Sequence, residues 1–322
     1  MAKYERTSVQ YLSADGVNKI HAWVYTPTAT NSRVPAIILA HGFGGSKVHG
    51  LQPFAEAFAS MGVLAIVFDY RSFGLSDGMP RNTIRVSAQQ ADYVTTLDYA
   101  KKLPNVDPTK LIIWGTSFAG GHALSVASTY PGLAGCISQV PIIKGRSSVF
   151  KTSKRSAIML TPILVYDALS RMLPFLPPAY VPTVADRGSW GLLTTNDAVE
   201  GYSRFEPFVD AEPAYVQAAE AKGKSTKELV LRPSNALDTF FYNSVAKSAK
   251  TIKCPVLCLI AHEDTMCPPH LAVDAAKQIR DVEIVRIDGG HFGPYSGQPG
   301  WERTIDAEKQ FVKRVVAHSS KI

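Results

Sequence analysis

The chain is expected to form an α/β domain, with a mostly parallel sheet of about eight strands flanked by helices and a helical insertion late in the chain. Three observations carry this. Short, wholly apolar runs such as Val34–Ala40 and Val256–Ala261 alternate with segments of helical spacing, the pattern of strands covered on both faces. That rhythm stops between Pro141 and Lys253, where Pro162, Pro174, Pro177, Pro178 and Pro182 fall among aromatics and irregular polar spacing. Finally, Gly115-Thr116-Ser117-Phe118-Ala119-Gly120-Gly121 sets a serine among small residues, between the apolar run Leu111–Trp114 and a helix-like stretch.

Taken in order, Thr7–Leu12 and Lys19–Tyr25 read as strands joined by the turn Ala14-Asp15-Gly16, an antiparallel edge. Val34–Ala40 is a buried strand ending in His41-Gly42. Pro53–Met61 has helical spacing with Gly62 at the C-cap position. Val63–Phe68 is a buried strand, and Val86–Leu103 a long helix closed by Pro104. Leu111–Trp114, Ala134–Val140, Val256–Ala261 and Glu283–Ile287 complete the strands. Phe118–Tyr130, His270–Ile279 and Trp301–His318 are the expected helices between and after them. Residues 1–140 and 254–322 are thus read as the core, and 141–253 as a cap over the carboxyl ends of the strands, where open α/β sheets bind ligands.

A length of 322 residues suits one large domain or a domain with an insertion. The chain is 46% hydrophobic and 19% charged, which excludes a disordered chain. The start, Met1-Ala2-Lys3-Tyr4-Glu5-Arg6, lacks the apolar core of a secretory signal. No apolar run approaches the ~20 residues of a membrane span. A soluble, intracellular protein is expected, with no membrane or nucleic-acid partner; a homodimer is allowed. Cys136, Cys254, Cys258 and Cys267 are too few and too clustered for a disulfide framework. Cys254, Cys258, Cys267 and His270 match no common zinc spacing, so these thiols are read as buried, with no metal and no cofactor.

Net charge is +7, from 34 basic and 27 acidic residues. Lys144, Arg146, Lys151, Lys154 and Arg155 form a basic cluster with no acid before Asp167. It is either a solvated helix face or a surface for an anionic partner.

Chemistry converges on Ser117. A serine on a sharp strand-to-helix turn is held above the sheet edge, and small neighbours let strand and helix approach. A serine hydroxyl is a weak nucleophile until a base takes its proton. His291, after the last strand and the tight Asp288-Gly289-Gly290 turn, is the candidate base. Glu263, Asp264 and Asp288 compete as the acid, and Asp264 is assigned from its place after the Val256–Ala261 strand. It would hold the imidazole tautomer and stabilise the imidazolium. An oxyanion needs two preorganised donors. The N–H groups of Phe118 and of Phe43, in His41-Gly42-Phe43-Gly44-Gly45, are the candidates. That loop is not a phosphate cradle, since it lacks both the dinucleotide pattern and a Gly-Lys-Ser. Asp69 and Arg71 are read as loop braces, and His122 as a packed structural histidine.

These residues together resemble an α/β-hydrolase along nearly the whole chain. Gly115–His122, Ser76-Asp77-Gly78-Met79-Pro80-Arg81 and Gly289-Gly290-His291-Phe292-Gly293-Pro294-Tyr295 resemble more narrowly a group of bacterial hydrolases, fungal polyketide transferases and thiohydrolases of secondary-metabolite and toxin biosynthesis. Ala119 stands where the elbow pattern has a second glycine. The resemblance implies acyl chemistry on an ester or thioester through Ser117, with a small-molecule acyl substrate. The aromatic and aliphatic content of the cap, with Phe150, Tyr166, Phe175, Tyr180 and Trp190, favours a fatty or polyketide acyl chain, and the basic cluster, where it is not simply a solvated face, would meet coenzyme A or an acidic carrier protein. Hydrolysis and transfer both remain open. A generic carboxylesterase shares every catalytic residue; a prolyl-type peptidase and a non-catalytic binding module are lesser alternatives. Ser320-Lys321-Ile322 resembles a peroxisomal address, and without that role a cytoplasmic location is expected.

Overall fold

β1 (Tyr4–Leu12) and β2 (Lys19–Pro27) form the expected antiparallel hairpin, paired from Tyr4–Pro27 to Leu12–Lys19. They are followed by β3 (Val34–Ala40), α1 (Gln52–Ser60), β4 (Leu64–Phe68), α2 (Val86–Lys101), β5 (Val106–Thr116), α3 (Phe118–Ala127) and β6 (Gly135–Gln139). The chain then leaves the sheet through α4 (Gly145–Val149), α5 (Lys154–Ser170), β7 (Val181–Pro182), α6 (Ala198–Ser203), α7 (Glu206–Asp210), α8 (Pro213–Ala221), β8 (Val230–Leu231) and α9 (Asn235–Phe240). It returns as β9 (Val256–Ala261), α10 (Pro269–Ala276), β10 (Val282–Ile287) and α11 (Trp301–His318). The structure is a computed structural model that describes residues 3–28, 32–149, 151, 153–221, 229–244 and 248–318. Phe150 and the Ser320-Lys321-Ile322 tail lie outside the described residues.

The main sheet has eight strands in the order β1-β2-β4-β3-β5-β6-β9-β10. β2 runs antiparallel to both neighbours, and every pair from β4 to β10 is parallel. The apolar runs explain the middle of this order. β4, β6 and β9 are buried throughout, and so is β3 apart from Pro35, as strands with helices on both faces must be. Pro35 has no N–H for the ladder, and the register between β3 and β5 shifts across it, from Val34–Val106 to Ala36–Leu111. That pairing extends β5 backward beyond the expected Leu111–Trp114. The polar residues Asp107–Lys110 hide this extension from an apolar pattern.

On one face α11 buries Ile305, Glu308, Phe311, Val312 and Val315, a helical stripe with one acid in it. Trp114 Nε1 donates to Glu308 Oε1 at 2.8 Å. Burial pushes the Glu308 carboxyl up to about 8, so it is protonated at neutral pH.

The segment between β6 and β9 is held as a unit by a buried ion pair, Arg232 Nη2 to Asp167 at 2.8 Å. The Asp167 carboxylate also accepts from Ala179 N–H and Ser234 N–H, both at 3.1 Å. It thereby ties α5 to β8 and α9. Asn235 joins the segment to the core, accepting from Ile84 N–H at 3.0 Å and donating to Asn82 O at 2.9 Å. No helix among the described residues is long and apolar enough to cross a membrane.

Candidate active site

β5 ends at Thr116 and α3 begins at Phe118, which leaves Ser117 alone on the turn with φ 57° and ψ −115°. Few non-glycine residues take such a conformation, and the surroundings must impose it. Ser117 N–H donates to Gln139 O at 2.8 Å, and Ser117 O accepts from Gly121 N–H at 3.2 Å and Ile142 N–H at 3.0 Å. The glycines are needed for close approach. A Cβ at position 115 would lie 2.1 Å from Ala119 O, and one at 121 would lie 2.3 Å from Ile142 O. The crowding is thus at 115 and 121, and the methyl of Ala119 is accommodated within the buried start of α3.

The loops after β9 and β10 bring two further side chains to this serine. His291 Nε2 lies 2.9 Å from Ser117 Oγ, and His291 Nδ1 lies 2.7 Å from Asp264 Oδ2. Asp264 Oδ1 accepts from the N–H groups of Met266 at 2.9 Å and Cys267 at 2.7 Å. All three residues are buried. Glu263 and Asp288, the competing acids, are exposed. Burial alone would lower the His291 pKa, but the Asp264 carboxylate against Nδ1 overrides it and holds the imidazole well above 6.5.

The His41–Gly45 loop passes over the turn. A Cβ at Gly42 would lie 3.1 Å from Ser117 Cβ, close enough that the serine would have to give by a few tenths of an ångström. The Phe43 and Phe118 rings meet edge to face at 5.8 Å. As the first residue of α3, Phe118 carries one of the N–H groups that a helix leaves unpaired at its start. Beyond the loop, Lys47 N–H donates to Asp69 Oδ1 at 2.8 Å and the Lys47 ammonium pairs with Asp69 Oδ2. Leu75 N–H and Tyr215 OH also reach Asp69 Oδ2, at 2.9 and 3.0 Å. Asp69 is therefore a buried hub for three segments. Arg71 bridges Asp92 and Asp15, the bracing role expected of it. His122 is buried between Gln89 Oε1 at 3.0 Å and Tyr242 OH at 3.1 Å. Burial pulls its pKa down to about 3, so it serves as a neutral packing residue.

Asp264, Cys267 and His291 form the one group of three metal-ligand types among the described residues, their ligand atoms all within 4.8 Å. The sequence grouping of Cys267 with Cys254, Cys258 and His270 is not the one that forms. The 2.7 Å contact between His291 and Asp264 is a hydrogen-bond distance.

Beside Ser117 opens a cavity of about 220 Å³, lined by Phe43, Ile142, Leu160, Leu192, Tyr202 and Met266 among others. The cap aromatics expected here face elsewhere. Tyr166, Phe175, Tyr180 and Trp190 are 38%, 77%, 38% and 39% exposed, and none lines the cavity. The chain expectation for them is corrected: aliphatic residues of α5 and of the 192–195 segment make the wall, because α5 turns Leu160 and Leu164 inward and Tyr166 outward. Composition gave the cap an apolar character without telling which face carries it. The sequence does not single out Tyr202 and marks Cys267 only as a buried thiol, since nothing local in sequence marks a residue that reaches the site from α6 or from a loop.

The sequence profile of the serine aminopeptidase S33 family of hydrolases matches residues 32–291. The chain belongs to this family. The quorum-quenching protein AidA of Acinetobacter baumannii is 33% identical over 298 residues, covering 92% of each chain. The thiohydrolase aneE of Aspergillus aculeatus is 25% identical, covering 97% of this chain and 94% of its own. The polyketide transferase ATR5 of Stachybotrys chlorohalonatus is 31% identical over 58% of this chain and 60% of its own. The crystal structure of the α/β hydrolase GrgF from Penicillium sp. sh18 superposes with a TM-score of 0.75 at 22% identity, covering 97% of this chain and 99% of the other, a likeness of fold. This α/β-hydrolase family thus includes both bacterial and fungal relatives of the chain, as the motifs implied.

Proposed function

We propose that the protein is a serine-dependent acyl hydrolase or acyltransferase acting on an ester or thioester through an ester on Ser117. One observation carries the reading: Ser117 Oγ, 2.9 Å from His291 Nε2, opens onto an apolar cavity. His291 takes the hydroxyl proton as Ser117 Oγ attacks the acyl carbonyl. Asp264 keeps the Nδ1–H tautomer in place. The oxyanion rests on the N–H groups of Phe43 and Phe118. His291 then gives its proton to the leaving thiol or alcohol. Water, or a second alcohol or thiol, attacks the acyl-serine in reverse, and Ser117 recovers its proton.

The cavity supports a fatty or polyketide acyl group. Its polar lining is hydroxyl and thiol only, with Ser148, Thr161, Thr195, Thr239 and Cys267 besides Ser117 and Tyr202. An aminopeptidase role, which the family's description suggests, calls for an anionic partner to a substrate ammonium, and no carboxylate lines this cavity among the described residues. Of the relatives' names, thiohydrolase and polyketide transferase suit acyl chemistry and divide between hydrolysis and transfer, while quorum-quenching protein names no reaction. Lys144, Arg146, Lys151, Lys154 and Arg155 are all exposed beside this cavity's α4–α5 wall, which suits contact with a coenzyme A or acidic carrier moiety.

Incubation of the native protein with a panel of acyl thioesters, followed by mass spectrometry of the Ser117 peptide, tests the reading. An acyl adduct on Ser117, together with loss of turnover and of fluorophosphonate labelling in Ser117→Ala, is the expected result. Unchanged turnover in Ser117→Ala overturns it.

A further inference from the structure

Tyr202 reaches the site from α6, in the cap, and its hydroxyl donates to the main-chain carbonyl of Phe43 at 2.7 Å. Its ring packs edge-on against Phe205 at 5.9 Å and Phe292 at 5.5 Å. Phe292 follows His291 in the chain and lies on the other side of the same aromatic cluster. Tyr202 lines both the acyl cavity and the small space bounded by Ser117, His291 and the His41–Gly45 loop. Gly201, just before it, has no room for a side chain, since a Cβ there would lie 2.0 Å from the Phe292 ring. The tyrosine is therefore seated by close packing on the residue next to the candidate base.

The loop that it touches has few other holds near Phe43. Gly44, at φ +68°, sits against Thr183 and Leu231 of the cap, where a Cβ would lie 2.9 to 3.0 Å from their side chains. The next anchors in the chain are at Ser46, whose N–H donates to His49 Nδ1 at 2.9 Å, and at Lys47, on Asp69. At Phe43 and Gly44 the loop is thus held by the cap on one side and by the Phe43 ring on Phe118 on the other. The Phe43 carbonyl that Tyr202 holds belongs to the peptide plane after Phe43. The candidate oxyanion donor belongs to the plane before it, and the two planes are joined at one Cα. Fixing one restricts the other, and donor placement within a few tenths of an ångström decides how well an oxyanion is stabilised.

We infer that Tyr202 is a positioning residue: through its hydrogen bond to the Phe43 carbonyl, the cap sets the oxyanion-binding loop for acyl transfer. This rests on the acyl-serine reading above. It also means that the oxyanion site is complete only with the cap in place. Burial pushes the phenol's pKa far up, so the hydroxyl remains a donor across the working pH range.

Tyr202→Phe keeps the ring packing and removes only the hydroxyl. Losing an oxyanion donor outright costs ~10²–10³ in rate; loosening one should cost about ten-fold. The expected result is a ten-fold lower kcat in p-nitrophenyl ester turnover, with KM within two-fold of native. Affinity for a boronic acid, which mimics the tetrahedral state, should fall by the same ten-fold, while affinity for the free fatty acid product stays unchanged. A folded variant, judged by its thermal melt, with kcat and boronate affinity within two-fold of native overturns the inference. A KM rise with kcat intact also overturns it, since that assigns Tyr202 to the cavity wall alone. The two readings fail separately: turnover surviving in Ser117→Ala removes the acyl-serine reading, whereas a dead Ser117→Ala with a native-like Tyr202→Phe removes only this one.

Discussion

Replacing Asp264 by Asn would test the candidate triad through one proton. Asp264 Oδ1 is fixed by two main-chain donors, Met266 N–H at 2.9 Å and Cys267 N–H at 2.7 Å. An asparagine there keeps its oxygen on those donors and so turns its NH₂ toward His291 Nδ1, which now lies 2.7 Å from Oδ2. Nδ1 must then accept, the ring proton moves to Nε2, and Nε2–H faces Ser117 Oγ. The imidazole can no longer take the serine proton. The equivalent exchange in serine hydrolases lowers kcat ~10⁴-fold with geometry intact, which is ~5.4 kcal/mol at ~1.36 kcal/mol per decade. Stopped-flow release of p-nitrophenol reads the acylation step directly. Native kcat/KM should rise with pH through the His291 pKa, which lies above 6.5, because the base must be neutral to act. An Asp264→Asn protein that folds and keeps more than about one hundredth of native acylation would refute the tautomer argument and with it the role assigned to Asp264.

Two further outcomes follow from burial. The 220 Å³ cavity holds roughly seven groups of ~30 Å³ each, so Ala157→Phe on its wall should exclude about three buried methylenes. At ~0.8 kcal/mol each, kcat/KM for long-chain p-nitrophenyl esters should fall roughly fifty-fold while the acetate ester is spared. An equal loss on both would place the acyl chain elsewhere. Glu308, with its folded pKa raised to about 8 by burial, is neutral in the folded state while the unfolded chain ionises above its ordinary 4.5. Stability contributed at low pH is therefore lost between pH 4.5 and about 8. Glu308→Gln should flatten that decline and raise the melting temperature at pH 8 relative to native; a melting temperature that drops at every pH would show that the carboxyl is charged and paired.

Much of this protein is legible in its amino-acid sequence. The unbroken apolar runs at β3, β4 and β9, too short for helices and bounded by turn residues, read as strands covered on both faces, an environment with no position for a polar side chain. The glycines around Ser117 betrayed a turn too tight for a Cβ, and the strand-end positions of Asp264 and His291 followed from the order in which such a sheet presents its loops. Tertiary structure decided what local pattern cannot carry. It extended β5 back to Val106, which pairs with Val34 on the far side of residues 107–110. It turned Tyr166, Phe175, Tyr180 and Trp190 outward and built the cavity from Leu160, Leu192 and Ile142, a choice set by how the cap lies on the core. It brought Tyr202 to the Phe43 carbonyl across 159 residues of chain. The physical reason is the same in each case. Backbone strain and burial on both faces leave their mark on neighbouring residues, whereas the facing of a helix and the meeting of remote side chains are settled only when whole elements pack.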